Sequence, residues 1–330
     1  MTRIINKPKD TVSQVLNGVA YIHQDILERI PKTGILIKKN IKTKQVALIS
    51  GGGSGHEPAH FGYIGDNMLD AAVSGPIFVP PTSDDIVKTI KSVDQGEGVL
   101  LIIKNFEADV TNFMKAKEIA EKEGHKVGYV IVNDDCSVET GSFEKRRRGV
   151  AGTVFVHKIL GAAASEGESL EALVSLGEKV IRSLNSLGVA LSSGTSISKE
   201  ERHFELEKDM ISFGIGIHGE KGYRSEPFYS SEHLANELIN KLLVQYDDYV
   251  NKRFALLING LGTTTIMEQY IFSNDVRRLL KLEEVEVVFA KTGNYMTSTN
   301  MAGISLTLLE IKENTWLEYL KKPTNAFAWQ

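Results

Sequence analysis

Short apolar runs that each end in a glycine-rich or polar turn constrain this chain more than any other feature of its sequence. The first three are residues 45–50, 98–103 and 127–132. Continuous apolar runs of this length are typical of strands that are covered on both faces. Between the second and third runs, residues 111–123 carry their apolar side chains at helical spacing. This order of strand, turn, helix and strand predicts an α/β fold with a largely parallel sheet.

The second half of the chain returns to the same pattern after a long alanine-rich stretch. Residues 150–187 are predicted to be helical, with a break at 166–168, and residues 254–259 form another apolar run that ends in glycine. Residues 284–289 and 304–309 alternate partly between polar and apolar side chains. This alternation predicts two further strands near the edge of a sheet.

The length of the chain, 330 residues, suits two ordinary α/β domains. Serine, glycine and threonine are frequent in residues 188–201, which makes this segment a candidate boundary or crossover. We therefore predict two α/β domains with mixed, largely parallel sheets flanked by helices. The N-terminal domain would cover residues 1–185 and the C-terminal domain residues 186–330.

Charge, hydropathy and cysteine content exclude several classes of protein. Lys and Arg number 38 against 42 Asp and Glu, a net charge of −4, whereas nucleic-acid-binding surfaces are usually basic. No apolar run is long enough to span a bilayer, and residues 1–8 lack the apolar core of a secretion signal. Cys136 is the only cysteine, which excludes an intramolecular disulfide and a cysteine-rich zinc site. We expect a cytoplasmic protein that contacts neither DNA nor a membrane directly.

The segment 51–58, Gly-Gly-Gly-Ser-Gly-His-Glu-Pro, is the strongest local signal for a functional site. Clustered glycines are kept where the backbone needs positive φ or close approach. Exposed N–H groups in such a turn can bind phosphate or polarised hydroxyl groups, and His56 and Glu57 add reactive side chains. A tight turn without a ligand is the alternative. The segment is not a nucleotide P-loop, because His56 and Glu57 stand where that motif requires Lys and Ser or Thr.

Residues 214–219 formally match a dinucleotide-binding fingerprint of three spaced glycines. Residues 220–227, which follow, are too broken for the helix whose N-terminus would bind a pyrophosphate, so we expect no such site. His218 is then either a reachable functional side chain among small neighbours or a structural histidine. Asp109 ends a strand-turn segment, where open α/β sheets bind their ligands.

Other polar residues have ordinary explanations. Residues 145–149 form a short basic cluster that suits either a phosphate or partner contact or a solvated turn. Asp84 and Asp85 fit the start of a helix and need no ligand. We predict no metal site, because the remaining histidines show no ligand spacing: His23, His60, His125, His157, His203 and His233.

Three segments together, 51–58, 104–109 and 214–220, resemble the substrate-binding subunits of dihydroxyacetone kinases, the DhaK type. The resemblance runs in order over essentially the whole chain and includes residues 99–103, 133–135, 147–153 and 295–298. It implies a fold of two α/β domains and assembly as a homodimer.

By this resemblance, His218 bonds covalently to the carbonyl carbon of dihydroxyacetone and forms a hemiaminal. A neutral imidazole is a competent nucleophile, and the adduct discriminates a ketone from glycerol, which has no carbonyl. His56 and Asp109 match residues that would hydrogen-bond the substrate hydroxyls, with Asp109 as the candidate base. Gly53 and Lys104 match positions that line the same pocket. The resemblance implies no cofactor in this chain, because ADP and Mg would be bound by a separate helical kinase subunit.

Several loops depart from the family pattern. Phe-Thr-Ser-Pro-Thr becomes Phe-Val-Pro-Pro-Thr at residues 78–82, so Pro80 offers neither a hydroxyl nor an N–H group. Gly-Ala-Thr-Pro becomes Gly-Thr-Thr-Thr at 262–265, and Ser-Leu-Asp-Met becomes Ser-Thr-Asn-Met at 298–301. An Ala-Gly pair becomes Lys-Arg at 145–146.

Intact binding residues next to altered loops favour a paralogue that captures the ligand and has changed its partner. The resemblance then implies a DhaQ-type coactivator, which binds dihydroxyacetone and docks on a TetR-type transcription regulator. The alternative is a working subunit of a phosphotransferase-system-dependent dihydroxyacetone kinase, with an ADP-binding helical subunit as its partner. A dinucleotide-dependent enzyme built on residues 214–219 is the third hypothesis.

Overall fold

A computed structural model describes residues 3–137, 147–195, 197, 202, 204–220 and 222–329. Lys145, Arg146 and His203, which the sequence analysis singled out, lie outside these ranges. The strands are β1 (Leu27–Arg29), β2 (Ile35–Lys38), β3 (Ala47–Ser54), β4 (Ala71–Ile77), β5 (Val99–Lys104), β6 (Val127–Val132), β7 (Leu184–Ala190), β8 (Met210–Phe213), β9 (Arg224–Pro227), β10 (Arg253–Gly260), β11 (Glu286–Gly293) and β12 (Gly303–Glu310). The α-helices are α1 (Thr11–Ile22), α2 (Ser83–Val93), α3 (Glu107–Lys122), α4 (Thr153–Ser165), α5 (Leu170–Arg182), α6 (Ser231–Leu243), α7 (Ile266–Leu282) and α8 (Asn314–Lys321).

The first sheet has the strand order β1-β2-β4-β3-β5-β6. Strands β4, β3, β5 and β6 run parallel, and β1 and β2 add an antiparallel edge. The central strands β3 and β5 are buried along their whole length, because α2 and α3 cover one face of the sheet while α4 and α5 cover the other. The continuous apolar runs thus correctly predicted a parallel sheet covered on both faces.

The second sheet has the order β11-β10-β12-β7-β8-β9 and is mainly antiparallel. Only β10 and β11 run parallel, and the other four neighbouring pairs are antiparallel. The prediction of an α/β fold with mixed sheets flanked by helices is confirmed, but the largely parallel character holds for the first sheet alone. The physical reason is connectivity: α7 provides a helical crossover between β10 and β11, whereas the described residues between β7, β8 and β9 include no helix.

Two local predictions in this half were wrong. Residues 184–187, expected to be helical, begin strand β7, because α5 ends at Arg182. Residues 304–309 lie in β12 at the centre of the sheet, whereas β11 is at its edge as predicted. The prediction of an edge strand failed because the polar side chains of β12 have polar partners inside the protein. Thr307 Oγ1 lies 2.6 Å from Ser186 Oγ, and Ser305 Oγ accepts a hydrogen bond from Asn259.

One large apolar core is shared by the two sheets. Helices α6 and α7 cover the outer face of the second sheet, and its inner face packs with residues of α4 and the first sheet. The buried Trp316 of α8 belongs to the same cluster as Leu100 of β5. All strands of the first sheet precede residue 185, but the shared core leaves the division of the chain into two domains a prediction. No helix in the described ranges is long and apolar enough to cross a membrane.

Asp134 connects the two sheets through hydrogen bonds of its side chain. Its carboxylate accepts hydrogen bonds from the backbone N–H groups of Val150 and Gly152, at 2.8 and 2.9 Å, and from the Ser186 hydroxyl at the start of the second sheet. Burial raises the pKa of this carboxyl group to about 6, against these hydrogen bonds, which favour the charged form. Asp134 is therefore a buried junction between the sheets, and both of its carboxylate oxygens are needed to satisfy the donors around it.

We expect Asp134→Asn to lower the free energy of unfolding by about 1–3 kcal/mol. An amide replaces one acceptor oxygen with an NH₂ group that would face an N–H or O–H donor, so a buried donor loses its partner. Urea denaturation at neutral pH measures the change, with the exposed Asp25→Asn as the control that should be neutral. Equal stability of the two variants would contradict a structural role for this junction.

Candidate functional site

The glycine-rich segment lets the end of β3 approach two charged side chains. At Gly52, an added Cβ would lie 2.5 Å from Lys104 Nζ and 3.6 Å from Asp109 Oδ1, so a larger residue would displace the Lys104 amine. Gly53 packs against the backbone of Phe78 and Val79, where a Cβ would also clash. The glycines were predicted to serve close backbone approach, and the structure places both predicted residues, Gly53 and Lys104, at this end of the sheet.

His56 follows the glycines and is hydrogen-bonded to a residue in the C-terminal half of the chain. Its Nδ1 lies 2.8 Å from the Thr297 carbonyl oxygen, so the ring donates from this nitrogen and directs Nε2 away from it. The Thr297 backbone N–H donates to the His56 carbonyl, and the Thr297 hydroxyl donates to the Glu57 carbonyl at 2.8 Å. A further hydrogen bond runs from the Thr299 hydroxyl to the Gly55 carbonyl. These bonds hold the segment 51–58 against residues 297–299.

His218 lies in the connection between β8 and β9 and meets His56 across the site. The two ring centroids are 4.7 Å apart and nearly perpendicular, and the Phe106 ring packs edge-on against His218 at 4.4 Å. The His218 backbone N–H donates to Glu220 Oε2 at 3.0 Å, and its Nδ1 lies 3.4 Å from Glu220 Oε1. The side chain keeps 20% exposure, so its other nitrogen remains reachable. His218 is therefore not a core histidine.

Lys104 and Asp109 lie next to these histidines with unsatisfied polar atoms. Lys104 ends β5 and is fully buried, and Asp109 lies in the first turn of α3 with 3% exposure. Within the ranges that the structure describes, neither Lys104 Nζ nor Asp109 Oδ1 has a hydrogen-bond partner. Because such atoms destabilise a protein by about 1–3 kcal/mol each, their occurrence together indicates a place for a polar ligand.

Burial shifts the titration of both groups toward their neutral forms. Burial lowers the pKa of the Lys104 amine, although the charges of Asp109 and Glu220 act in the opposite direction. Burial likewise raises the pKa of the Asp109 carboxyl group, against the charges of Lys104 and His218. A base in such surroundings can accept a proton from a hydroxyl group more readily than an exposed carboxylate.

Phe78 forms a wall of the site from the loop that departs from the family pattern. Its ring centroid lies 5.2 Å from that of His56 and 6.0 Å from that of His218. Its φ of 57° is in the left-handed region, which is unfavourable for a bulky side chain. Residues with such a strained backbone conformation often occur at functional sites. Pro80, two residues later, packs over Gly75. The altered loop therefore directly carries a residue that contacts both site histidines.

Two of the other departures, Thr265 and Asn300, have structural roles in this chain. The side chain of Thr265 caps α7 and forms a capping box with Glu268. Asn300 adopts a φ of 61° and donates to Thr195 Oγ1. The Lys-Arg pair at 145–146 lies outside the described residues.

Sequence reasoning gave no role to Arg148 and Glu220. Arg148 was grouped with a basic cluster, but its guanidinium donates to the buried Asp135 at 2.6 Å and to the Gly214 carbonyl at 2.8 Å. It is therefore part of an internal network rather than a solvated turn or a phosphate contact. The sequence shows Glu220 as the second residue after His218. That short separation did not indicate that the Glu220 carboxylate contacts the backbone and ring of the histidine.

The fingerprint of glycines at 214–219 has no helix after it. Strand β9 follows, and the next helix, α6, begins only at Ser231. This arrangement lacks the helix N-terminus that a pyrophosphate would need, as the sequence analysis expected. In the described ranges, no group of three or more His, Cys, Asp or Glu side chains is arranged to hold a metal ion. Neither result concerns residues such as Lys221 that lie outside those ranges.

A fold of two mixed sheets, with two histidines, a lysine and an aspartate gathered between them, matches a known family. Residues 17–328 match the model of the Dak1 domain, and the chain belongs to that family. It is 47% identical to the dihydroxyacetone-binding subunit DhaK of a PTS-dependent dihydroxyacetone kinase of Lactococcus lactis, over 99% of this chain and 98% of the relative. It is 49% identical to the DhaKLM operon coactivator DhaQ of the same organism, over 99% of this chain and 100% of the relative.

A solved structure supports the same assignment. The dihydroxyacetone kinase operon co-activator Dha-DhaQ has a TM-score of 0.92 and 50% identity to this chain, with coverage of 96% of this chain and 97% of the other. The resemblance drawn from the three sequence segments is therefore confirmed. Because a kinase subunit and a coactivator are similar to this chain to nearly the same degree, overall similarity does not choose between them.

Proposed function

We propose that this protein captures dihydroxyacetone as a covalent hemiaminal on His218 and, once loaded, acts as a coactivator of a TetR-type transcription regulator. The observation that carries the capture step is the pair of buried, unsatisfied atoms, Lys104 Nζ and Asp109 Oδ1, beside a reachable imidazole. A small ligand with a carbonyl and two hydroxyl groups supplies both the electrophile and the missing hydrogen-bond partners.

The orientation of His218 suits nucleophilic attack. Because Nδ1 faces the Glu220 carboxylate, the neutral ring carries its proton there and presents the lone pair of Nε2. This lone pair attacks the carbonyl carbon, and the π electron pair moves to the carbonyl oxygen. The Lys104 amine donates hydrogen bonds to ligand oxygens, and His56 Nε2 and the Asp109 carboxylate accept hydrogen bonds from ligand hydroxyl groups. Glycerol offers the same hydroxyl groups but no electrophilic carbon.

The altered loop at residues 78–82 supports the coactivator role. Pro80 removes the hydroxyl and N–H groups that the kinase-family serine would provide, in the loop that also carries Phe78. The similarity to a DhaQ coactivator along the whole chain agrees with this role. We further propose a cytoplasmic homodimer that contacts neither DNA nor a membrane itself and holds no cofactor of its own.

Complementation tests the coactivator role. We expect this chain to restore dihydroxyacetone-dependent transcription of the DhaKLM operon in Lactococcus lactis that lacks its own DhaQ, and His218→Ala to restore none. By linkage, the regulator should raise the affinity of this protein for the ketone by the same factor as the ketone raises its affinity for the regulator. DhaQ itself is the positive control. Transcription that is restored equally without the ketone would contradict a sensing role.

A kinase subunit is the second candidate function, and Asp109 is the observation that favours it. A buried carboxyl group with a raised pKa, beside the proposed adduct, is suited to take the proton of the hydroxyl that receives phosphate. The similarity to a DhaK subunit over nearly the whole chain agrees with this function. ADP and Mg would then be bound by the helical partner subunit.

A phosphoryl-transfer assay separates the two candidates. This chain replaces DhaK in the Lactococcus lactis kinase, with that DhaK as the positive control, and formation of dihydroxyacetone phosphate is measured. As a coactivator, the chain is expected to support no turnover. As a kinase subunit it would support turnover that Asp109→Asn lowers by at least about 100-fold without loss of bound ketone, while Asp84→Asn at the start of α2 leaves it unchanged.

A further inference from the structure

Arg148 and Glu220 form a charged pair on the side of His218 that faces away from the ligand. We infer that Glu220, held by Arg148, stabilises His218 as an imidazolium once Nε2 has bonded to the carbonyl carbon, so that capture takes up a proton. Glu220 and Arg148 are thus positioning residues that favour the adduct without touching the ligand. This inference rests on the proposed capture of a ketone by His218.

Both carboxylate oxygens of Glu220 contact His218. Oε2 accepts the hydrogen bond from the His218 backbone N–H at 3.0 Å, and Oε1 lies 3.4 Å from Nδ1 of the same ring. The two contacts fix the carboxylate relative to both the backbone and the imidazole. A cationic ring at this place would shorten and strengthen the longer contact, because hydrogen bonds between charged groups are about twice as strong as neutral ones.

Three hydrogen bonds to other residues hold the Arg148 side chain in place next to Glu220. Its guanidinium donates to Asp135 Oδ2 at 2.6 Å, to Ser137 Oγ at 3.0 Å and to the Gly214 carbonyl at 2.8 Å. Its Nη1 then lies 3.8 Å from Glu220 Oε2. Since Arg148 follows β6 and Glu220 follows β8, the pair joins the first half of the chain to the turn that carries His218.

Gly216 provides the space that this pair needs. A Cβ at residue 216 would lie 1.9 Å from Glu220 Oε2 and 2.5 Å from Arg148 Nη1. Alanine at this position would therefore displace the carboxylate, the guanidinium or both. One glycine of the apparent dinucleotide fingerprint is thus explained by side-chain packing behind His218.

The chemical balance of capture explains why a negative charge is useful there. The neutral ring has its proton on Nδ1, and its Nε2 lone pair forms the new N–C bond while the C=O π pair moves to oxygen. The oxygen then takes up one proton from solution, and Nδ1 keeps its own proton. The sum is His218 plus ketone plus one proton giving a cationic hemiaminal. Loss of the Nδ1 proton instead would give a neutral adduct with no net proton uptake.

The electrostatic surroundings agree with a carboxylate that stays charged. Burial would raise the pKa of Glu220, but the hydrogen bond and charge of His218 and the charge of Arg148 lower it to about 2. Four other charged or titratable groups surround this pair and His218 in the described part of the chain. Asp135 accepts a hydrogen bond from Arg148, the charge of Glu220 acts on Lys104, and Asp109 and His56 face His218. These four are the same in wild type and in Glu220 variants, so a comparison of the two isolates the effect of the carboxylate.

The test uses the whole protein and dihydroxyacetone as the probe. We expect Glu220→Gln to weaken the apparent affinity by about tenfold or more, because the amide keeps the shape and loses the charge. The control is Glu226→Gln, which alters a second carboxylate–imidazole pair, Glu226 with His233 at 3.1 Å on the surface. This variant should leave the affinity unchanged. Gly216→Ala, which keeps every charged group, should weaken capture as well.

The pH profile gives a readout that a merely structural role would not move. Wild-type affinity should rise as the pH falls across the alkaline range, because capture takes up a proton. The Glu220→Gln profile should be flatter. Nitrogen NMR of the ring should show both nitrogens of His218 in the imidazolium state in the wild-type adduct.

The possible outcomes separate the two claims. If wild type forms no adduct, the proposed capture is wrong. If wild type forms an adduct but Glu220→Gln has the same affinity and the same pH profile, capture stands and the role of Glu220 is wrong. A weaker affinity with an unchanged profile would also overturn the inference, since it would show only a structural role.

Discussion

Dihydroxyacetone is expected to raise the intact mass of the native protein by the mass of one whole ketone molecule, and His218→Ala is expected to show no increase. A hemiaminal forms by addition without loss of water, so the full mass of the ligand is retained. The effect should be all or none, because the variant lacks the atom that forms the bond. Native mass spectrometry measures it, and glycerol should produce no covalent adduct.

His233→Ala is the matched control for this experiment. His233 also contacts a glutamate but lies on α6 at the surface, outside the site. Its variant should take up the ketone like wild type. A mass increase that survives in His218→Ala would show that another nucleophile captures the ligand, and the proposed function would then be wrong.

Lys104→Met is expected to have opposite effects on stability and on binding. Lys104 is fully buried, and its amine has no hydrogen-bond partner in the described part of the chain, so an apolar side chain of similar length should raise the free energy of unfolding by about 1–3 kcal/mol. The same change removes a donor that the ligand needs. Affinity for dihydroxyacetone should fall by about 10- to 100-fold. Urea denaturation and calorimetric titration measure the two effects.

Lys158→Met is the control for burial alone. Lys158 is also fully buried, in α4, and burial lowers the pKa of its amine to about 8, but its Nζ lies 3.5 Å from the Asn67 carbonyl and away from the site. This variant should leave ketone affinity unchanged. If Lys104→Met instead binds the ketone as well as wild type does, the unsatisfied amine is not part of the binding site.

The residues proposed to bind the ligand could be named from the sequence because each belongs to a short contiguous motif. His56 and Gly53 lie in one glycine-rich segment, Lys104 and Asp109 in another segment at a strand end, and His218 among spaced glycines. Such motifs preserve local geometry, so their residues could be named without knowledge of how the chain folds. The structure brings these segments together at one end of the first sheet, and their roles in capture stay a proposal.

The charge network behind His218 could not be predicted in this way. Arg148 and Glu220 are separated by 72 positions, and their contact depends on how β6 and β8 are placed in different sheets. The position of β12 escaped prediction for a related reason. Its Ser305 and Thr307 look solvent-facing in a pattern of alternation, yet tertiary partners inside the protein satisfy them.

The hydrogen bonds between residues 55–57 and 297–299 have a consequence for how the protein is made. They join positions about 240 apart, so the hydrogen bond that orients His56 cannot form until Thr297 has left the ribosome. A nascent chain that has been synthesised only to the end of the first sheet does not yet contain His218. The proposed capture of the ketone therefore needs residues from both halves of the chain, and two separately produced halves would have to associate before the site is complete.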